Sequence, residues 1–403
     1  MKATFFKYFK IFNYILAFCL ILFFSYKAFV WYKLASQVKP KDEKINLGQY
    51  IERQKIGIKE VKNSKYFYGK DINNYLWYNG RLWQIVKANN NGILIITEES
   101  QTSINWGEKK DFINSNIYQW LNYDVFYRTI NDLTGLRSNY RFELLSESDY
   151  NNTGAENGFI NDGKFFYLMN NKENLKYVTP NGIVKNTNDG NLGLGIRPTI
   201  NLRKDIMING GDGSKANPLI IGRRDNLIDK KINYAQVGDY VNYKGYLWRI
   251  NFKDNNIKLI TDGFLHNKEN IIITNYGDSN NFKKSNVLAL LKNNINEENL
   301  LTWNYYIDQY GISNNYSINF KNIEKTKLGI PSIGDLFASG EDQDYFLTNP
   351  GDTDDVIMVI QKNNILFTDD INNSLAIKAT IKIPNDLIIK SGMGTLNEPY
   401  VIN

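Results

Sequence analysis

Residues Leu194–Ile221 read LGIRPTINLRKDIMINGGDGSKANPLII, and Leu375–Ile402 read LAIKATIKIPNDLIIKSGMGTLNEPYVI. The two stretches align without a gap at one offset (375 − 194 = 181). Ile196, Thr199, Ile200 and Ile208 fall on Ile377, Thr380, Ile381 and Ile389, while Gly211, Gly213 and Pro218 fall on Gly392, Gly394 and Pro399. Self-similarity at a fixed offset marks a repeated folding unit. The block itself reads as a strand, a second short strand, a glycine-rich turn and a closing strand. Gly211 and Gly213 supply the positive φ that a tight turn demands. A phosphate cradle is the weaker alternative, because no helix follows the glycines.

Working outward, each copy opens with a hairpin. Asn79-Gly80 separates the strand-like Tyr75–Tyr78 from Arg81–Val86, and Gly245 lies in the matching place between Tyr243 and Leu247. Asn-Gly is the strongest short hairpin signal, since both turn positions need φ > 0. A third strand follows at Ile93–Ile96, and at Ile257–Thr261 in the second copy. Trp83 and Trp248 hold equivalent places; they are either sugar-stacking platforms or core residues behind the hairpin, and core is the expectation for a large aromatic on a strand.

Short helices come next. Ser115 leads Ile117, Trp120 and Leu121, and Ser285 leads Val287, Leu290 and Leu291. A serine ahead of i, i+3, i+4 apolar spacing predicts an N-capped amphipathic turn. Ser146 with Asp149, and Ser332 with Asp335, have the spacing of a capping box. A third segment, Phe166–Asn170, is matched by Tyr345–Asn349, with strands predicted around Tyr177–Val184 and Val356–Leu366.

The N-terminus has a different character. Residues 1–10 form a short basic tail, and Ile11–Tyr26 carries no charge. Sixteen helical residues span about 24 Å, short of a hydrocarbon core of about 30 Å, so the helix is carried on past Lys27 to residue 34. Lys27 would then snorkel, with Trp31 and Tyr32 at the headgroups. A transmembrane helix over 11–34 is therefore expected, in a single-pass protein of the cell membrane. A cleaved signal peptide or a lipoprotein signal at Cys19 competes with it; no small-residue cleavage site follows the run, and Phe18 is bulky for a residue beside a lipidated cysteine. Lysines on both sides leave orientation open. Residues 35–62 read as a polar spacer, 63–222 as the first α+β repeat and 235–403 as the second, joined by an exposed linker within Ile221–Gln236.

Composition bounds the function. The chain has 403 residues, 42% of them hydrophobic and 14% aromatic, which excludes disorder and allows about two or three domains. The formal charge of +6 is spread among Asp and Glu without a basic stripe, so nucleic acid is not an expected partner. One Cys and one His (Cys19 and His266) leave neither disulfides nor a cysteine or zinc site. No cofactor is expected, and no catalytic serine, metal-hydrolase, phosphate-loop or dinucleotide motif is found.

The order of motifs resembles an uncharacterised repeat domain of surface and membrane-anchored proteins from low-GC Gram-positive bacteria. The text that carries the resemblance is Asn79–Val86, Ser115–Asn122, Phe346–Gly351, Gly195–Leu202 and Gly210–Leu219. That domain is similar to C-type-lectin-like and formylglycine-enzyme-like domains. The resemblance implies two tandem lectin-like α+β modules of twisted antiparallel sheet with short helices, placed outside the cell. The second copy departs from the pattern: Phe346–Asn349 lacks the usual Trp and Arg, and Lys378-Ala379 stands for Arg-Pro.

Candidate ligand-binding residues are Arg197 and its counterpart Lys378, with Asp352, Asp354 and Asp355. Arg197, in an apolar strand, either grips an acidic ligand bidentately or pairs internally with a carboxylate. The acids, with Glu341, Asp342 and Asp344, either offer oxygens to Ca²⁺ or form a solvated loop. A non-catalytic extracytoplasmic binding or adhesion protein is the expectation, its ligand a cell-wall polymer, a glycan or an envelope protein. An envelope scaffold subunit packed against a membrane partner, and an enzyme acting on wall polymers or glycans, are the alternatives.

Overall fold

A computed structural model describes residues 16–18, 20–27, 45–122, 141–170, 174–221, 226–253, 255–268, 270–306, 323–331, 335, 344–350, 353, 356–361 and 365–403. Residues 16–18 and 20–27 are helical and exposed, and most of the expected membrane span lies outside the described residues. Among the described residues, no helix is long and apolar enough to cross a membrane. The rest is a mixed α+β structure dominated by sheets, with few and short helices.

The first half opens with α1 (Leu47–Arg53), β1 (Ile58–Val61) and β2 (Ser64–Phe67), followed by β3 (Tyr75–Tyr78), the first arm of the hairpin. Then follow β4 (Arg81–Asn89), β5 (Gly92–Thr97), β6 (Thr102–Ile104), α2 (Asn116–Asn122), β7 (Glu143–Leu144) and α3 (Glu147–Asn152). It ends with β8 (Phe166–Tyr167), β9 (Leu175–Val178), β10 (Val184–Thr187), β11 (Leu194–Ile196), β12 (Pro198–Leu202), β13 (Ile208–Gly210) and β14 (Leu219–Ile221). The second half starts with β15 (Tyr240–Tyr243), β16 (Tyr246–Lys253), β17 (Ile257–Thr261), β18 (His266–Asn267), β19 (Asn270–Ile271), β20 (Ile273–Thr274) and α4 (Asn286–Asn294). It continues with β21 (Trp303–Tyr306), β22 (Ile323–Thr326), β23 (Leu328–Gly329), β24 (Tyr345–Pro350), β25 (Val356–Gln361) and β26 (Ile365–Asp370). Last come β27 (Leu375–Ala376), β28 (Thr380–Ile383), β29 (Ile389–Ser391) and β30 (Tyr400–Ile402).

Strand order repeats between the halves. One sheet runs β13-β14-β3-β4-β5-β12-β7, and its counterpart runs β29-β30-β15-β16-β17-β28-β23. The smaller sheet runs β10-β9-β8-β11-β6, and its counterpart β26-β25-β24-β27-β20. Even the parallel pairings recur, β14 on β3 and β30 on β15. The chain passes from the small sheet to the large one between β11 and β12, and again between β27 and β28. Arg197 and Lys378 stand at those two passages.

The turns form as the residues dictate. Asn79 and Gly80 have φ of 47° and 67°, and Lys244 and Gly245 have 50° and 82°. A Cβ on Gly211 would lie 1.9 Å from the Pro218 carbonyl oxygen, and one on Gly392 would lie 2.0 Å from that of Pro399, so only glycine fits. Trp83 and Trp248 are fully buried, and their indoles donate to the Tyr78 and Tyr243 carbonyls at 3.0 and 2.8 Å. They are core residues and offer no stacking platform.

Three sequence expectations are corrected. The spacer does not reach residue 62: α1 is capped by Asn46 and buries Leu47, Tyr50 and Ile51 in the first core, and β1 pairs with β2. Its charged residues hid it, because only one face of so short a helix is apolar. The stretches 177–184 and 356–366 are not single strands but the hairpins β9–β10 and β25–β26. At Ser146 only half of the capping box forms. The serine oxygen accepts from Asp149 N at 3.0 Å, but the Asp149 carboxylate turns to the sheet, taking the Tyr66 hydroxyl at 2.7 Å and Lys87 at 2.6 Å.

Candidate functional site

Arg197 is enclosed, at 1% exposure. Its Nε donates to Thr97 O at 3.0 Å, its Nη2 to Thr97 O at 2.9 Å and Glu98 O at 2.8 Å, and its Nη1 to Ile160 O. Gln84 Oε1 accepts a longer bond at 3.3 Å, and the ring of Phe166 lies 5.3 Å from the guanidinium. The internal partner is therefore a fan of carbonyls, with the Asp162 carboxylate standing off at 3.7 Å. Burial pulls the guanidinium pKa down, and Asp162, Glu98 and Glu99 pull it back up. Five N–H donors in a rigid fork suit carbonyls from the end of β5 and from the turn at Ile160, at the point where the chain changes sheets.

Lys378 is also fully buried, with its ammonium 5.3 Å from the Phe264 ring and 5.7 Å from that of Tyr345. Neither basic side chain presents its charge at the surface: Arg197 donates to internal carbonyls and Lys378 lies over two aromatic rings. Asp352, Asp354 and Asp355 lie outside the described residues, as do Glu341 and Asp342. Among the described residues, no group of His, Cys, Asp and Glu has the arrangement of a metal site.

Above Arg197 lies a set of polar groups that spacing alone does not bring together. The end of β5 leads into Glu98 and Glu99, β3 starts with Tyr75, and the glycine-rich turn after β13 carries Lys215. Lys215 Nζ meets Glu98 Oε1 at 2.6 Å, and that bond raises the lysine pKa. The Tyr75 hydroxyl is hydrogen-bonded to Gln84, and burial followed by the Glu98 charge raises its pKa. Glu99 is also raised, by burial first and then by neighbouring Glu98, against the pull of Lys164, Lys215 and Arg197. The result is a half-buried face of two carboxylates, a phenol and a lysine. It can accept hydrogen bonds from hydroxyls, amides or a cation, with Arg197 fixing its floor.

The second copy has an equivalent face. The hairpin register sets Tyr240 opposite Arg249 as Tyr75 is set opposite Gln84, and Asp262 N bonds Leu247 O as Glu98 N bonds Leu82 O. Tyr240, Arg249 and Asp262 are thus the counterparts of Tyr75, Gln84 and Glu98. In the second copy this face is covered by the β3–β4 turn of the first. Arg249 donates to the Gly80 carbonyl and lies over the rings of Tyr240, at 5.1 Å, and Trp77, at 5.8 Å. Gly238 meets the same turn so closely that a Cβ on it would lie 2.1 Å from Gly80 Cα. Phe264, Tyr345, Leu347 and Ala376 join the first core, and β26 lies against β6. Sequence reasoning missed this face; the signal was available in the places where aligned copies differ, Gln84 against Arg249 and Glu99 against Gly263.

Comparison of the chain with family models, curated proteins and solved structures finds no match.

Proposed function

We propose that this is a membrane-anchored binding protein with two tandem α+β modules held outside the cell, the face around Tyr75, Glu98 and Glu99 being its ligand site. The observation that carries the reading is the engagement of the equivalent face of the second module by a protein turn, through Arg249 and Gly238. A face that docks a polar turn in one copy is built for docking in the other. Helical residues 16–18 and 20–27 support the anchor, since Leu16, Phe18, Leu20, Ile21, Leu22, Phe23 and Phe24 are all exposed and lipid is the natural cover for such a surface. The resemblance to Gram-positive surface proteins supports display outside the cell and a ligand in the envelope: a wall polymer, a glycan or an envelope protein.

The test uses the full-length chain in detergent micelles, titrated with purified wall polymer, envelope glycans and solubilised envelope protein. Binding by the parent chain, lost about tenfold or more in the Glu98→Gln, Glu99→Gln variant, is the expected result. No binding to any of the three, or equal binding by the variant, refutes it. Protease shaving of whole cells tests the placement, with cleavage expected in the modules and not in residues 1–10.

A further inference from the structure

We infer that the face of the first module is the docking site for the Lys244-Gly245 turn of a second copy of this chain, so that copies associate head to tail. The inference rests on reading that face as a docking surface and names its partner.

Within one chain the contact between copies is heterologous: the turn and the β6 edge of the first module meet the face and the β26 edge of the second. A contact between two like folds that uses different surfaces on each leaves one of each surface unused. The unused turn is Lys244-Gly245. Gly245 is exposed, has no neighbour that even an added Cβ would reach, and adopts the same hairpin conformation as Gly80. The unused face is that of Tyr75, Glu98 and Glu99, half-buried above the enclosed Gln84.

Charge favours this pairing over the one inside the chain. Inside, Arg81 next to the first turn faces Arg249, and burial together with that like charge lowers the Arg81 pKa far below its usual value. Between copies, Tyr246 and Gln84 take those two places, so the repulsion is absent. The incoming turn instead brings Lys244 to a face holding Glu99 beside the Glu98–Lys215 pair, where the second module's own face has Asp262 and Gly263.

The small sheets agree. The edges left over are β20 in the second module and β10 in the first, counterparts of β6 and β26. Each carries an uncovered isoleucine, Ile273 on β20 at 58% exposure and Ile183 just before β10 at 54%. Head-to-tail docking brings these two edges together and covers both side chains. One difference weakens the contact: Asn73, itself buried, stands where Gly238 lets the backbones touch, so the second turn approaches less closely. Association between copies is accordingly weaker than the fixed contact within one, and depends on concentration.

The experiment mixes ¹⁴N- and ¹⁵N-labelled full-length chains in detergent, treats them with a zero-length carbodiimide, and maps cross-links by mass spectrometry beside sedimentation velocity. Mixed-isotope cross-links from Lys244 to Glu98 or Glu99, with a sedimentation coefficient that rises with concentration, are expected. Lys244→Glu weakens association about tenfold or more, and mixing it with Glu99→Lys chains restores heterotypic pairing. A single monomeric species without mixed-isotope links, or association untouched by both charge variants, overturns the inference. A parent chain that stays monomeric yet binds an envelope ligand through the Glu98/Glu99 face overturns self-docking alone; one that associates yet binds no other ligand leaves the copy as the partner.

Discussion

Replacing Lys87 by Phe separates a structural charge pair from an incidental one, because the second module already contains the answer. Lys87 on β4 lies opposite Leu94 on β5, and its ammonium meets Asp149 at 2.6 Å. In the second module the cross-strand pair is Phe252 opposite Lys258, and Lys258 meets Asp335 at 2.6 Å. Lysine and apolar residue have changed places across the ladder, yet each sheet still delivers one ammonium to the aspartate of the following Ser-x-x-Asp segment.

The magnitude follows from burial. The Lys87 and Asp149 side chains are 17% and 11% exposed, far nearer to a buried pair than to a surface one. Removing one partner of a buried pair costs about 3–5 kcal/mol, against about 0–1 for an exposed pair. The Tyr66 hydroxyl still donates to the orphaned carboxylate at 2.7 Å, a bond to a charged group worth about 1.5–3 kcal/mol, so Lys87→Phe is expected to cost about 2–3 kcal/mol. Leu94→Lys alone places a second ammonium beside the first and opens the apolar cluster around Tyr66, Val86 and Ile96, costing about 2 kcal/mol. The double variant reproduces the second module's arrangement and returns to within about 1 kcal/mol of the parent, a coupling near 3 kcal/mol in a double-mutant cycle. Native-state hydrogen exchange of the β4 and β5 amides in the full-length chain reads the first module without assuming that both unfold together. A Lys87→Phe cost below about 0.5 kcal/mol, or a double variant no better than the sum of the singles, refutes the reasoning.

Two further outcomes follow from the same enclosed groups. Arg197→Met leaves the Thr97, Glu98 and Ile160 carbonyls without their donor and is expected to cost about 3 kcal/mol or more in urea unfolding, with Arg197→Lys recovering only part, since an ammonium cannot fan across carbonyls of two separate segments. A cost near zero for Arg197→Met means that water replaces the guanidinium and the floor is not structural. Alkaline pH should destabilise the fold through its buried tyrosines: burial, then the Glu156 charge, pushes Tyr150 up to about 12, and burial raises Tyr50, Tyr167 and Tyr276 further. Their folded pKa values lie above the unfolded value of about 10, so their contribution is whole below about pH 10 and lost as pH climbs through the folded values. Tyrosinate absorbance rising together with loss of circular dichroism checks this; ionisation of all tyrosines near pH 10 with the fold intact contradicts it.

Residues with only one way to fold were legible from sequence. Asn79-Gly80, Gly211 and Gly392 need backbone conformations or clearances that few residues allow, and Trp83 and Trp248 are too large and apolar to be left outside. The serines ahead of α2 and α4 announced helix starts, because a free backbone N–H at a helix end needs a nearby oxygen. What could not be read is what depends on residues far apart in sequence. The helix α1 buries one face of a stretch that is polar on average. The carbonyls that hold Arg197 come from positions 97, 98 and 160, with no side-chain identity to mark them. The face above it draws on β3, on the end of β5 and on the turn after β13, three places that only the sheet order brings side by side.

The two copies share strand order, hairpin conformations and the glycine-rich turn, and several of the positions at which they differ lie at or near the contact: Asn73 against Gly238, Gln84 against Arg249, Ser100 against Phe264, Arg197 against Lys378. Each change fits the role of its copy. Gly238 lets a backbone turn come close, Arg249 receives that turn's carbonyl, and Phe264 covers the lysine that replaces the arginine fan while reaching into the neighbouring core. The second module is shaped to accept the first, and the price is two guanidinium groups held near each other away from water. The first module has no neighbour at that place: it has Gln84 and Glu99 where the second has Arg249 and Gly263, while the phenol and the first carboxylate are common to both. A surface that remains polar and half-buried at the one place where its twin is filled is the place to look for whatever this protein binds.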